Sequence, residues 1–123
     1  MRIALVLALL ALAYPAACLG TPMPKLADEL GCSTCHSIDQ AGAGPAWMDV
    51  SARYRASRND PAFIDQLVAK ISRGGAGKWG STPMVAVDPV HKNQDKIKQL
   101  VHYILALSDR APPAQQAALG AVR

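Results

Sequence analysis

Two thiols three residues apart, followed at once by an imidazole, make Gly31-Cys32-Ser33-Thr34-Cys35-His36 the most chemically loaded stretch of the chain. Cys-x-x-Cys-His is the spacing of covalent haem attachment. Each thiol can add across one vinyl group of a porphyrin, and His36 then stands beneath the iron with a ring nitrogen available as axial ligand. Other chemistries also use a close cysteine pair. A redox dithiol of the thioredoxin kind expects a strand-helix context, and no strand-rich region precedes the motif. A zinc site needs four ligands, and no second cysteine pair or His-x-x-x-His cluster follows to complete a tetrahedron. A disulfide across two intervening helical residues would be strained. The reading that survives is one covalently attached haem, around which the remaining residues are expected to build a box.

A low-spin haem iron needs a second axial ligand, and a thioether raises the reduction potential relative to a second imidazole. The candidates are Met23, Met48, Met84, His91 and His102. Met23 lies too near the attachment segment to reach the opposite haem face. Met48, beside Trp47, is expected to fill a gap in the core. Met84 follows Pro83 on a long irregular stretch, far enough from His36 to wrap over the other face, and is favoured. His91, in the same region, is the runner-up, and His102 is expected at the surface or core edge. Pro45 has a separate expected task. A proximal imidazole is best held when its other nitrogen donates to a carbonyl, and the loop Gly42-Ala43-Gly44-Pro45 can bring one alongside His36. The indole N–H of Trp79, if buried, needs an acceptor, for which a haem propionate is suited.

The elements that must position these residues follow the apolar spacing. Lys25 to Cys35 is predicted as a first helix, with Leu26 and Leu30 on one face and both thiols on its last turn. Ser37 to Pro45 is a loop. Trp47, Val50 and Tyr54 recur at helical spacing. Asn59-Asp60-Pro61 is a strong helix start, Phe63, Ile64, Leu67, Val68 and Ile71 form the inner face, and Arg73-Gly74-Gly75 closes the helix. Gly74 to Pro89 has no periodicity and reads as a long functional loop. A last helix is predicted from about Asn93 to Ser108, with Ile97, Leu100, Val101, Ile104 and Leu105 inward; it should cross the first helix.

Residues 1–20 read as a cleaved export signal: Arg2 is the charged start, Ile3 to Ala13 an unbroken apolar run, and small residues lead to a cut after Gly20. Cleavage before a lipidated Cys18 is the alternative, which Pro15 fits badly; an uncleaved anchor is disfavoured because the apolar run is short for a bilayer. Residues 21–108 are expected to form one domain, and the Ala-, Pro- and Gln-rich residues 109–123 a flexible tail. Aromatic residues make up 5% of the chain, little for a small self-sufficient core, and a porphyrin would supply the missing apolar bulk. The net charge of +4 falls when Arg2 leaves and haem propionates are added, so it gives at most weak steering toward an acidic redox partner. No basic stripe interleaved with aromatics suggests nucleic acid.

Taken in order, Gly31-Cys32 to His36, Gly44-Pro45-Ala46-Trp47, and Trp79-Gly80 followed by Pro83-Met84 resemble class I c-type cytochromes, specifically the short bacterial monohaem carriers of the c-551 and c-552 kind. The resemblance runs from about Leu26 to Leu107. It implies an all-α small cytochrome c fold, four or so helices wrapped around one haem c held through Cys32 and Cys35. It also implies His36 and Met84 as axial ligands, the Pro45 carbonyl directed at His36, and Trp79 near a propionate. The activity implied is periplasmic one-electron transfer by a monomer, without substrate turnover or stable membrane insertion. Its partners would be redox proteins, a quinol-oxidising complex and a terminal oxidase or reductase; the alternative is an electron-transfer subunit of a fixed oxidoreductase complex. The chain departs from the family in having Val85-Ala86-Val87 where prolines commonly follow the ligand methionine.

Overall fold

The structure, a computed structural model, describes residues 23–111 and residue 114. The expected export signal and most of the expected tail lie outside the described residues. In chain order these form α1 (Lys25–Glu29), a 3-10 turn (Cys32–Thr34), α2 (Trp47–Arg53), a second 3-10 turn (Arg55–Ser57), α3 (Pro61–Arg73), strands β1 (Gly75–Gly77) and β2 (Gly80–Met84), α4 (Gln94–Leu105) and α5 (Leu107–Arg110).

α3 forms as its sequence dictates. The Asp60 carboxylate accepts the Ala62 N–H at 2.9 Å, Pro61 occupies the first turn where its missing N–H costs nothing, and Lys70 and Arg73 lie at the carbonyl end. Ile64 and Val68, one turn apart, are buried, with Leu67 and Ile71 packed beside them.

α4 is the shared wall of two apolar clusters. Ile97, Val101 and Leu105 face Ile64 and Val68 of α3, whereas Leu100 and Ile104 face Ala27, Cys32, Ile38, Trp47, Met48, Leu107 and Ala111. Each of these fully buried aliphatic side chains contributes about 1.5–3 kcal/mol relative to exposure. Leu26, Leu30 and Tyr103 pack on the second of these clusters, so the first helix meets the last one as expected, and Lys96 reaches Glu29 across them at 3.4 Å. Between α2 and α5 a polar bolt forms. The buried Ser51 hydroxyl donates to the Leu105 carbonyl at 2.9 Å and receives the Ser108 N–H at 2.9 Å.

Three expectations are corrected. The first helix does not carry the thiols. It stops at Glu29, because Gly31 takes a left-handed φ of 73° and its N–H turns back to the Asp28 carbonyl; Cys32–Thr34 is a separate 3-10 turn. The stretch 74–89 is not all loop, since β1 and β2 pair antiparallel with Gly75 opposite Met84 and Gly77 opposite Gly80. The fold is thus helix-rich with one small strand pair. Finally, the last helix breaks at Ala106 and resumes as α5, which runs to Arg110 and leads Ala111 into the core; residues 109–111, expected to begin the tail, belong to the packed body.

Candidate haem site

The loop between the 3-10 turn and α2 is pinched shut by its own backbone. Gly44 N–H donates to the Cys35 carbonyl at 2.9 Å, Trp47 N–H to Ser37 at 3.0 Å, and Met48 N–H to Ile38 at 2.9 Å. This folds Pro45 back over the histidine, and His36 Nδ1 lies 2.9 Å from the Pro45 carbonyl oxygen. A carbonyl can only accept, so Nδ1 carries the proton, and in the neutral ring the lone pair is on Nε2. The ring is held on two further sides. The Trp47 indole stacks at 6.0 Å between centroids and 30° between planes, and Gly44 lies so close that a Cβ there would stand 2.4 Å from His36 Cε1.

Neither thiol is in a disulfide. Cys32 is buried in the cluster with Ala27, Trp47, Leu100 and Ile104, whereas Cys35 is exposed. Burial pushes the Cys32 thiol above its ordinary value, only partly opposed by a backbone hydrogen bond, and so keeps it protonated. Two free thiols on one turn, an oriented imidazole with its lone pair on Nε2, and a glycine seat that admits the ring but no side chain together fit a covalently held haem.

The other expected residues lie on the hairpin and the arm that follows it. Met84 ends β2 and is half-buried. Trp79 is in the hairpin turn and is 41% exposed, so its indole is not the buried donor considered from sequence. The Arg53 guanidinium covers its ring at 4.6 Å from the centroid while donating to the Lys78 carbonyl at 3.0 Å, and Tyr54 meets the ring edge-on at 6.1 Å. α2 therefore touches both halves of the site, His36 through Trp47 and the hairpin through Arg53. Among the described residues, the hydrogen-bond and ring partners of His36 are Pro45 and Trp47, and Met84 is not one of them. His91 is exposed, in a turn with φ 56°, and His102 is exposed beside a shallow depression lined also by Arg58, Asn59 and Asp109, which shares no residue with the haem motif. Met48 is buried in the core.

Sequence reasoning missed Gly44 as the ring seat, although a glycine before a proline at a predicted close approach was a usable signal. It did not single out Arg53, and it passed over Asp88, whose burial depends on backbone and side-chain amide donors that only the folded chain brings together.

The class of protein this geometry defines is met again in known sequences. The chain belongs to the cytochrome c family, whose model matches residues 24–108. Cytochrome c-551 of Allochromatium vinosum is 46% identical over 82 residues, which is 67% of this chain and 82% of that protein. Cytochrome c-552 of Hydrogenobacter thermophilus is 40% identical over 83 residues, 68% of this chain and 79% of that one. The crystal structure of Nitrosomonas europaea cytochrome c552 superposes with a TM-score of 0.58 at 31% identity, covering 68% of this chain and 96% of that chain. Within the family it is a class I c-type cytochrome of the c-551/c-552 type: a monohaem electron carrier, not an enzyme, with haem c bound covalently through Cys32 and Cys35. It acts with redox partner proteins. Among the described residues no helix is long and apolar enough to cross a membrane.

Proposed function

We propose that His36 and Met84 are the two axial ligands and that the protein passes single electrons in the periplasm, from a quinol-oxidising complex to a terminal oxidase or reductase. Haem c supplies one-electron exchange between Fe(III) and Fe(II). The observation that carries the reading is the 2.9 Å hydrogen bond from His36 Nδ1 to the Pro45 carbonyl, which makes Nε2 the ligating nitrogen and a stronger donor. Pro45 orients, Gly44 admits and Trp47 backs the proximal ring. Met84, at the end of β2, would supply the thioether, and Trp79 in the hairpin turn, steadied by Arg53, is assigned to a haem propionate. A ligand that stays bound through both oxidation states leaves the iron no open position for substrate. Residues 1–20 act as the cleaved signal, and residues beyond the packed body form the tail.

The test is the weak near-infrared charge-transfer band that a thioether gives when bound to ferric haem. The parent is expected to show it and Met84→Ala to lose it. A parent without the band would sink the Met84 assignment and turn attention to His91 or to an open iron. Fractionation of cells making the full chain, with haem-stained protein expected in the periplasmic fraction, checks the location.

A further inference from the structure

Met84 is carried by a weak element. A two-stranded hairpin is marginally stable on its own, and here every residue of β1 and of β2 before Met84 is exposed. The arm 85–93 that returns the chain to α4 has no regular structure and leaves Val85 73% and Val90 67% exposed. Something else must decide where Met84 stands.

Part of the answer is a contact of backbone on backbone. Gly74, at φ 72°, lies against the start of the arm so closely that a Cβ would come 2.4 Å from the Met84 carbonyl oxygen and 2.8 Å from Ala86 N. The other part is Asp88, which is 2% exposed and the sole charged residue among the described buried ones. Its carboxylate accepts the backbone N–H groups of Lys92 at 2.9 Å and Asn93 at 2.8 Å, the Gln94 side-chain amide at 2.9 Å, and more distantly the Asn93 amide at 3.5 Å. Its own N–H donates to the Ser72 carbonyl at 3.3 Å, and that of Val87 to Ile71 at 3.2 Å. Both carbonyls belong to the last turn of α3, where a helix leaves its acceptors without internal donors. Gln94 completes the knot by also donating to Ser72 Oγ at 2.7 Å. Burial alone would raise the Asp88 carboxyl, but the amide donors outweigh it and hold the group below the usual aspartate value.

We propose that Asp88 is the positioning residue for the sixth ligand: by pinning the arm 85–93 to the end of α3 and the start of α4, it fixes Met84 over the haem. The inference rests on the reading of Met84 as ligand. Val85-Ala86-Val87 supplies no ring-constrained backbone, so the tether is a hydrogen-bonded acid in place of local stiffness. Loss of the carboxylate releases the arm from the start of α4 and leaves it held to α3 by only the backbone N–H groups of Val87 and Asp88, while α3 and α4 remain packed through Ile64, Val68, Ile97 and Val101.

The experiment compares the parent holoprotein with Asp88→Ala, and with Ser51→Ala as a variant that loses buried hydrogen bonds elsewhere. Two properties are read: the intensity of the thioether charge-transfer band in the ferric protein, and the uptake of carbon monoxide by the ferrous protein. Leaving several buried amide donors unpaired is expected to raise the ligand-off fraction in Asp88→Ala by about tenfold or more, with a matching gain in carbon monoxide uptake. Ser51→Ala is expected to unfold at lower denaturant with a parent-like band and no uptake. Where Asp88→Ala does not accumulate with haem, Asp88→Asn, of equal size and with one acceptor oxygen, is measured against the same prediction. An Asp88 variant that loses stability but keeps the full band and excludes carbon monoxide overturns the inference alone. A parent without the band overturns the Met84 reading and this inference with it.

Discussion

Gly42 and Gly44 are two residues apart in one loop, and the structure separates them sharply. An alanine Cβ at 44 would lie 2.4 Å from His36 Cε1, 2.8 Å from Nδ1 and 2.9 Å from Nε2, while at 42 the nearest atom is the Cys35 carbonyl oxygen at 3.6 Å. Ordinary carbon contacts sit at about 3.5–4.0 Å, so the imidazole of Gly44→Ala must retreat by roughly 1 Å. A retreat of that size breaks the 2.9 Å bond to Pro45. The lost hydrogen bond costs about 1 kcal/mol and the overpacking about 1–3 kcal/mol, giving about 2–4 kcal/mol in all. In a domain of this size that lowers Tm by roughly 10–30 °C. With His36 as the proposed iron ligand, the freed imidazole is also a weaker donor, which disfavours the ferric state more than the ferrous, so the reduction potential rises. A loss of ligand strength tenfold greater in the ferric than in the ferrous state corresponds to about 59 mV for one electron. Gly42→Ala, with no positive φ and only ordinary contact, is expected to stay within about 0.5 kcal/mol of the parent. Thermal unfolding and redox titration of the two variants side by side decide the matter. If Gly44→Ala melts with Gly42→Ala and keeps the parent potential, the histidine seat described above is wrong.

Two further outcomes are expected. Asp60→Ala removes the carboxylate that accepts the Ala62 N–H at the start of α3 and is expected to cost about 1 kcal/mol, read from the urea midpoint. The Asp88 carboxyl is held below its unfolded value of about 3.9, so its contribution is complete above that pH and is lost as pH falls through the lower folded value. Urea midpoints taken between neutral and acid pH should therefore fall less steeply at the acid end for Asp88→Asn than for the parent, and parallel acid limbs would refute the assignment.

The legible parts of the chain are those whose structure is dictated locally. Asp60-Pro61 and the spacing of Ile64, Leu67, Val68 and Ile71 specify α3 with no knowledge of its neighbours. The Pro45 carbonyl could be named because an imidazole that binds through one nitrogen needs an acceptor at the other, the loop 42–45 can return one to His36, and the family resemblance implies that same carbonyl. Apolar spacing misled where a single glycine overrode it: Leu26 and Leu30 extend a helical face, and the left-handed Gly31 ends the helix beneath the thiols. The hairpin gave no alternating signal because neither strand buries a face before Met84, so nothing in β1 or β2 needed to alternate. The break at Ala106 is equally silent, since apolar residues on both sides continue into one cluster. Asp88 fell within the stretch 74–89 that reads as loop, and what satisfies it when buried is a set of backbone N–H groups, which every sequence possesses, together with the Gln94 amide brought in by the fold.

The last turn of α3 has its carbonyls at Ile71 and Ser72 met by Val87 and Asp88, and at Lys70 by Gly74. The arm that follows the hairpin is therefore also the lid on a helix end, and the two cannot open independently. In hydrogen-exchange terms the amides of Val87 and Asp88, both bonded to the same helix end, are expected to share one opening event and one free energy of protection. With Met84 as the proposed ligand, its release by way of the arm would break both bonds and leave the Ile71 and Ser72 carbonyls without those donors, so the cost of freeing Met84 by that route includes the cost of uncapping a helix end some residues away from it.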